Sequence, residues 1–297
     1  MGAFDHLMLT IGRLVAGAEA LGAVAARARA EADGVELDPR IRDALDGVTG
    51  ALGVDVATLT ADQARIAAGY AHALLLMSAD LAAHPERPPG WGNEDPAILR
   101  SLGQGSVAIA GAIHAAAPTL PGLADGLARD GAAFLDVGAG VAALSIAICR
   151  TWPAVRVVGL EPWEPPLRLA RANVARAGLE ERIELRTQAV EHLADREAYD
   201  AAFLAMPFIA PELVPTAVAR TCAALRPGGW LLTGMFTAPD EPLAQRLTAL
   251  RVVRAGGHPY TTEDLEGLLA GAGLVEVATP SRTWQAPIGL VAGRRPG

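Results

Sequence analysis

Lysine is absent from this chain: all 25 residues counted as Lys+Arg are arginine. Schiff-base chemistry, the phosphate-gripping lysine of a Walker loop and the Tyr–Lys pair of many reductases are therefore excluded. Cysteine is nearly as scarce. Cys149 and Cys222 lie in apolar, helix-like stretches and cannot build a disulfide framework, so they read as buried thiols of a reducing compartment. An excess of positive charge is also missing. The net charge is -8 and no run of arginines occurs, which disfavours nucleic acid and anionic membrane surfaces as partners. No uncharged apolar run reaches the roughly 20 residues of a membrane span. The N-terminus has no basic region and carries Asp5 early, unlike a signal peptide. A cytoplasmic protein with a small-molecule partner is expected.

What is present is ample core material, 51% hydrophobic residues in 297, enough for two domains. The first part, residues 1–118, reads as helices. Phe4, Leu7, Ile11, Leu14, Ala18, Leu21, Ala25 and Ala28 alternate steps of three and four. Such a face packs either within its own domain or against a second copy of the chain, giving a possible homodimer. A further helix covers "DPRIRDALDGVTGAL". Another opens at Thr60, where Thr60-Ala61-Asp62-Gln63 has capping-box spacing, and runs to about His84. After the Pro/Gly-rich loop "HPERPPGWGNED", Asp95-Pro96 has the form of an N-cap with proline at the first helical position, opening a helix through Ile113.

In residues 119–297 the pattern changes to apolar runs alternating with helical ones: "AAFLDV", "RVVGLE", "RIELRT", "DAAFLAM" and "GWLLTGM". Continuous apolar strands between helices predict a parallel sheet covered on both faces. The runs "LVEVATP" and "PIGLVAGR" are close together near the end and predict an antiparallel hairpin at the sheet edge. The expected fold is α/β, a Rossmann-like doubly wound mixed sheet with a terminal antiparallel hairpin, preceded by an all-helical domain.

The first strand leads into Gly138-Ala139-Gly140, a turn whose bare glycines let a ligand approach the backbone. The second strand ends in Glu161, 23 positions beyond Gly138 (161 − 138), where an acid accepts hydrogen bonds from ribose hydroxyls. Dinucleotides and S-adenosylmethionine both use that geometry. Three features divide them: Asp136 inside the first strand, the Pro-Gly-Gly of "LRPGGWLL" before the fifth strand, and the closing hairpin. Together these resemble the class I S-adenosylmethionine-dependent methyltransferases, over about residues 119–297.

The resemblance implies S-adenosyl-L-methionine as cofactor and a set of contacts. Asp136, Gly138, Ala139 and Gly140 would lie beneath its methionine and ribose portions, with Ala142 standing where the family's third glycine usually falls. Glu161 would hold the ribose, Pro162 and Trp163 would flank the adenine, and Gln188 with Ala189 would meet the adenine amino group in place of the more usual aspartate. Asp200 matches the acid that commonly opens the fourth strand. Ala205 and Met206 fall where the transferred methyl group is expected, and the polar residue that orients amines in base- and glutamine-methylating relatives is missing there. Gln104, on a segment that covers the cofactor in relatives, would meet its carboxylate, while Trp91, Asn93 and Glu94 would line a substrate entrance.

Methyl transfer needs in-line alignment and, for a hydroxyl or acidic carbon, removal of a proton. The candidates are His258 as base and Tyr260 as orienting group in "GGHPYTTEDL", a loop before a helix capped by Thr261. The other histidines are dispersed without metal-ligand spacing, and no metal is expected. The expected function is methylation of a small hydrophobic or aromatic metabolite in a bacterial biosynthetic pathway. Two alternatives stay open: a cofactor-binding scaffold or cyclase without methyl transfer, and an NAD(P)-dependent oxidoreductase.

Overall fold

The computed structural model of the protein describes residues 2–92, 94–284 and 286–297. The chain forms two compact units, Met1–Arg87 with Arg100–Gly105, and Pro88–Leu99 with Ser106–Gly297. The second unit thus takes in chain that precedes residue 119, the start expected from the strand pattern.

The first unit is built on helices α1 (Ala3–Asp33), α2 (Pro39–Ala51) and α3 (Ala61–Ala83). Local signals explain their starts. Asp38 caps α2 by accepting from the Arg40 N–H, and Thr60 and Gln63 form the capping box of α3. Buried alanines, Ala25 and Ala28 on α1 and Ala64, Ala68 and Ala71 on α3, line its interior. Arg27, also buried, joins α1 to α2 through Asp46 at 2.6 Å and pairs with Glu31 at 2.9 Å.

The apolar face of α1 divides in two. Its C-terminal residues Ala25 and Ala28 are buried, whereas Phe4 is 71% and Leu14 58% exposed, with Leu7 and Ile11 open as well. By length and composition, α1 and α3 are apolar enough to cross a membrane.

Helix α4 (Pro96–Ala116) is shared by the two units, and its N-cap is Asp95 with Pro96 next, as the sequence predicts. The second unit continues through α5 (Leu123–Ala128), β1 (Ala133–Val137), α6 (Ala143–Thr151), β2 (Arg156–Leu160) and α7 (Glu164–Ala177). Then follow β3 (Ile183–Arg186), β4 (Tyr199–Ala205), α8 (Val214–Ala224), β5 (Leu225–Phe236), α9 (Pro242–Arg254), α10 (Thr262–Gly271), β6 (Val275–Ala278) and β7 (Ile288–Arg294).

The seven strands form one sheet in the order β3-β2-β1-β4-β5-β7-β6. The first five are parallel, and β7 runs antiparallel to both neighbours. The expected Rossmann-like mixed sheet with a terminal hairpin is therefore the fold. Alternation of side chains assigns successive residues to opposite faces. Phe134, Phe203 and Trp230 enter the core beneath α5, α6 and α7, while Leu135, Leu204 and Leu231 enter the core beneath α8 and α10. Pro227-Gly228-Gly229 is a bulge inside β5, not a turn ahead of it: Tyr199 pairs with Leu225, and Ala201 already pairs with Trp230. Gly228 adopts φ 79°, and a Cβ on Gly229 would stand 2.9 Å from the Arg226 carbonyl oxygen, so glycine is what permits the detour.

Candidate active site

Strand β1 has β2 on one side and β4 on the other, so the connections leave the sheet in opposite directions there. Ligands of doubly wound sheets bind outside the carboxyl ends of the strands at that switch point. The residues leaving β1, β2 and β4 are the Gly138–Gly140 turn, Glu161 and Met206.

The turn is tightly held. Both the Gly138 and Ala139 N–H groups donate to the Leu160 carbonyl at 2.9 Å. Gly138 and Gly140 take φ 78° and 55°, and nothing stands within 4 Å of where a Cβ on Gly138 would be. Ala142 is left-handed as well, at φ 62°, with its methyl buried. That conformation costs a non-glycine residue roughly 1–2 kcal/mol, so the alanine at this position is accommodated with strain.

Glu161 is 6% exposed. Its Oε2 accepts from the Gly140 N–H and its Oε1 from the Trp163 N–H, both at 2.9 Å. Burial raises its pKa, opposed by those two amides. Each oxygen keeps a lone pair for a further donor, as a pair of ribose hydroxyls requires.

Asp136 is 2% exposed, and its Oδ2 accepts from the Ser145 hydroxyl of α6 at 2.6 Å. Burial pushes its pKa up to about 6, with the Ser145 hydrogen bond acting against burial and the Glu161 charge adding to it. Two buried carboxyl groups thus underlie the glycine turn.

Trp163 stands at the N-cap of α7, and its indole Nε1 is buried without a hydrogen-bond partner. A buried donor left unpaired costs stability until something accepts from it. The bare turn, the spare acceptor capacity of Glu161 and this orphaned indole N–H fit an adenosine-bearing cofactor. Pro162 beside them is exposed.

Gln188 donates from Nε2 to the His192 carbonyl at 2.9 Å, so the donor end of its amide holds the helical turn after Ala189. Gln104 lies on the part of α4 that belongs to the first unit, its side-chain oxygen directly over Gly69 of α3. Asp200 is at the opposite end of β4 from the switch point. It accepts from the Ala133 N–H and pairs with Arg129 and Arg226, tying strands together.

Beyond β4, the turn Met206–Phe208 opens a cavity of about 460 Å³. Met206, Met235 and Phe236 form apolar walls, and His258 and Tyr260 supply polar groups. Its size lies in the range of small-molecule sites. No Asp, Glu or Arg lines it among the described residues. The rings of His258 and Tyr260 meet edge-on at 4.8 Å, and Tyr260's pKa is raised, first by burial and then by Asp264. Thr261 caps α10 with Asp264 completing the box.

His258 is held there by glycine. A Cβ on Gly257 would run into the Pro207 carbonyl, so the loop lies flush on the turn that follows β4. Trp91 packs edge-on against Phe208, Glu94 is exposed, and Asn93 lies outside the described residues. The contributions of Phe236, Thr248 and Val252 were not expected from sequence. The apolar character of "QRLTALRVV" marks a helix but does not reveal that its inner face closes a cavity.

Residues 134–229 match the family model of a methyltransferase domain. Over that stretch the chain carries a methyltransferase domain, similar to those of the class I enzymes whose cofactor is S-adenosylmethionine. No curated protein matches the sequence. Solved structures share the fold across the full length. An O-methyltransferase family protein from Burkholderia thailandensis aligns with a TM-score of 0.66 at 16% identity, covering 100% of this chain and 99% of that one. Human N-acetylserotonin methyltransferase, in complex with SAM, aligns at 0.67 and 15%, covering 100% of both. The pyocyanin biosynthetic protein PhzM aligns at 0.64 and 16%, covering 99% and 98%. At these identities the likeness establishes the fold.

Proposed function

We propose that the protein transfers the methyl group of S-adenosylmethionine to a small, uncharged, hydrophobic or aromatic metabolite in a bacterial biosynthetic pathway. The observation that carries this reading is the cavity beside Met206. It begins where β4 ends, next to the strand that bears the glycine turn. Among the described residues its walls are mostly apolar and free of charged side chains, with His258, Tyr260, Gln245 and four threonines as the polar groups.

When bound, the cofactor supplies a methyl group already activated on a sulfonium. The chain's own residues then have to bind, orient and deprotonate. Glu161 holds the ribose, and Trp163 with Pro162 flanks the adenine. The Met206–Phe208 turn aligns the acceptor, His258 accepts the acceptor's proton, and Tyr260 orients its oxygen. Support for His258 lies in its place on the cavity wall and its glycine-set backbone. Gln104, Gln188 and Ala189 are proposed as further cofactor contacts.

Calorimetry tests the cofactor assignment. S-adenosylmethionine and its demethylated product should bind and NAD(H) should give no heat; the reverse outcome would refute it. Replacing Glu161 by Ala should remove most of that affinity. A labelled-methyl assay with candidate phenols then tests transfer. His258→Ala should lower kcat by about 10²–10⁴-fold while leaving cofactor affinity intact, and unaltered turnover would remove it as the base.

A homodimer and a cytoplasmic location belong to the same proposal. Helix α1, with its exposed apolar first half, carries Arg13 and Glu19 near its middle. An arginine or acid at a bilayer centre costs about 2.5–3.5 kcal/mol on insertion scales, whereas at a helix–helix seam both can reach solvent. A second copy of the chain therefore suits this face better than lipid.

A further inference from the structure

Pro88–Gly92 is an irregular segment ahead of α4, yet its last three residues each lie against a different part of the second unit. The Gly90 N–H donates to the Arg254 carbonyl at the end of α9 at 3.1 Å. A Cβ on Gly256 would stand 3.0 Å from the Gly90 Cα, so the two backbones touch. On the far side, a Cβ on Gly92 would lie 3.5 Å from Trp163 Cη2, beside the orphaned indole. Between these anchors Trp91 meets Phe208 edge-on, centroids 5.1 Å apart at 75°. Phe208 in turn meets Phe236 at 5.9 Å and 89°, and Phe236 is a wall of the cavity.

We propose that Trp91 is a positioning residue of the acceptor site, acting through Phe208 on the ring of Phe236. The proposal rests on reading the cavity as the acceptor site. Phe208 is 39% and Phe236 37% exposed, so neither ring is fixed by burial on all sides. Edge-on aromatic contacts are what orient them. Trp91 is the end of that relay next to fastened backbone, through the Gly90 hydrogen bond to the Arg254 carbonyl.

The test uses the full chain, S-adenosylhomocysteine to fill the cofactor site, and β-naphthol as a planar, uncharged hydroxyl probe. Titration calorimetry should show β-naphthol binding to the wild type. Trp91→Ala should weaken it about two- to twelvefold, the range an aromatic pair supplies, with S-adenosylhomocysteine affinity unchanged. Trp91→Phe should restore most of the loss. Phe236→Leu should weaken the probe too, and its effect should fall well short of additive with Trp91→Ala, because both remove the same oriented ring.

Additive losses, or β-naphthol affinity indifferent to Trp91→Ala, would overturn the relay. Absence of β-naphthol binding beside normal S-adenosylhomocysteine binding would overturn it together with the cavity assignment. Loss of S-adenosylhomocysteine binding in the wild type would instead strike the cofactor reading. Should Trp91→Ala fail to fold, Phe208→Leu interrupts the relay at its middle and carries the same expectations.

Discussion

Asp136 is a carboxyl group inside a β-strand, where its protonated form is favoured. Its folded pKa of about 6 lies above its ordinary 3.8. The folded state therefore holds a proton between those values that the unfolded state has released. The associated stability is complete below about pH 4 and lost as pH rises through 6, worth roughly 3 kcal/mol in all. Asp136→Asn keeps an acceptor for Ser145 and removes the titration. Its stability relative to wild type should rise between pH 4 and 7 by about that amount, measured by urea denaturation at each pH; parallel curves would contradict it. Asp136, Glu161 and the two glycines were legible in the sequence because each answers a local demand: a strand, a bare turn and an acid at the next strand's exit. The partners of Asp136 and the strain at Ala142 were not, since both depend on how α6 is seated.

The elements around the cavity meet through glycine. Gly257 lies flush on the Met206–Phe208 turn, and Gly256 on Gly90. Gly257→Ala should displace the His258 loop and lower stability by roughly 1–3 kcal/mol, the usual cost of overpacking. A thermal melt reads the loss, and an unchanged Tm would mean the contact is looser than described. Helix starts at Asp38, Thr60, Asp95 and Thr261 were readable from a few adjacent residues, because capping is a local hydrogen bond. By contrast, "PPGWG" reads only as a loop. That Trp91 belongs to an aromatic relay depends on Phe208 and Phe236, distant in sequence, and no periodicity connects them. The bulge at Pro227-Gly228-Gly229 was likewise hidden, since a turn and a bulge ask for the same residues.

At the scale of the whole molecule, the open face of α1 marks where self-association is expected. Sedimentation should show a dimer for the wild type. Replacing Leu7, Ile11 and Leu14 by Ser should shift it to monomer with the circular dichroism of the fold retained; a monomeric wild type would dismiss the seam. The heptad pattern was read from sequence as either internal packing or a seam, and the structure divides it, burying Ala25 and Ala28 and leaving the earlier residues open.

The placement of β7 has a consequence for how the molecule comes into being. Among the described residues β7 is the last strand in chain order, yet it is an interior member of the sheet, wedged between β5 and β6. Until synthesis passes residue 294, β5 presents an unsealed row of amides and carbonyls to its surroundings. A nascent chain stalled before that point is competent to hold much of its core yet prone to join with its neighbours on the polysome.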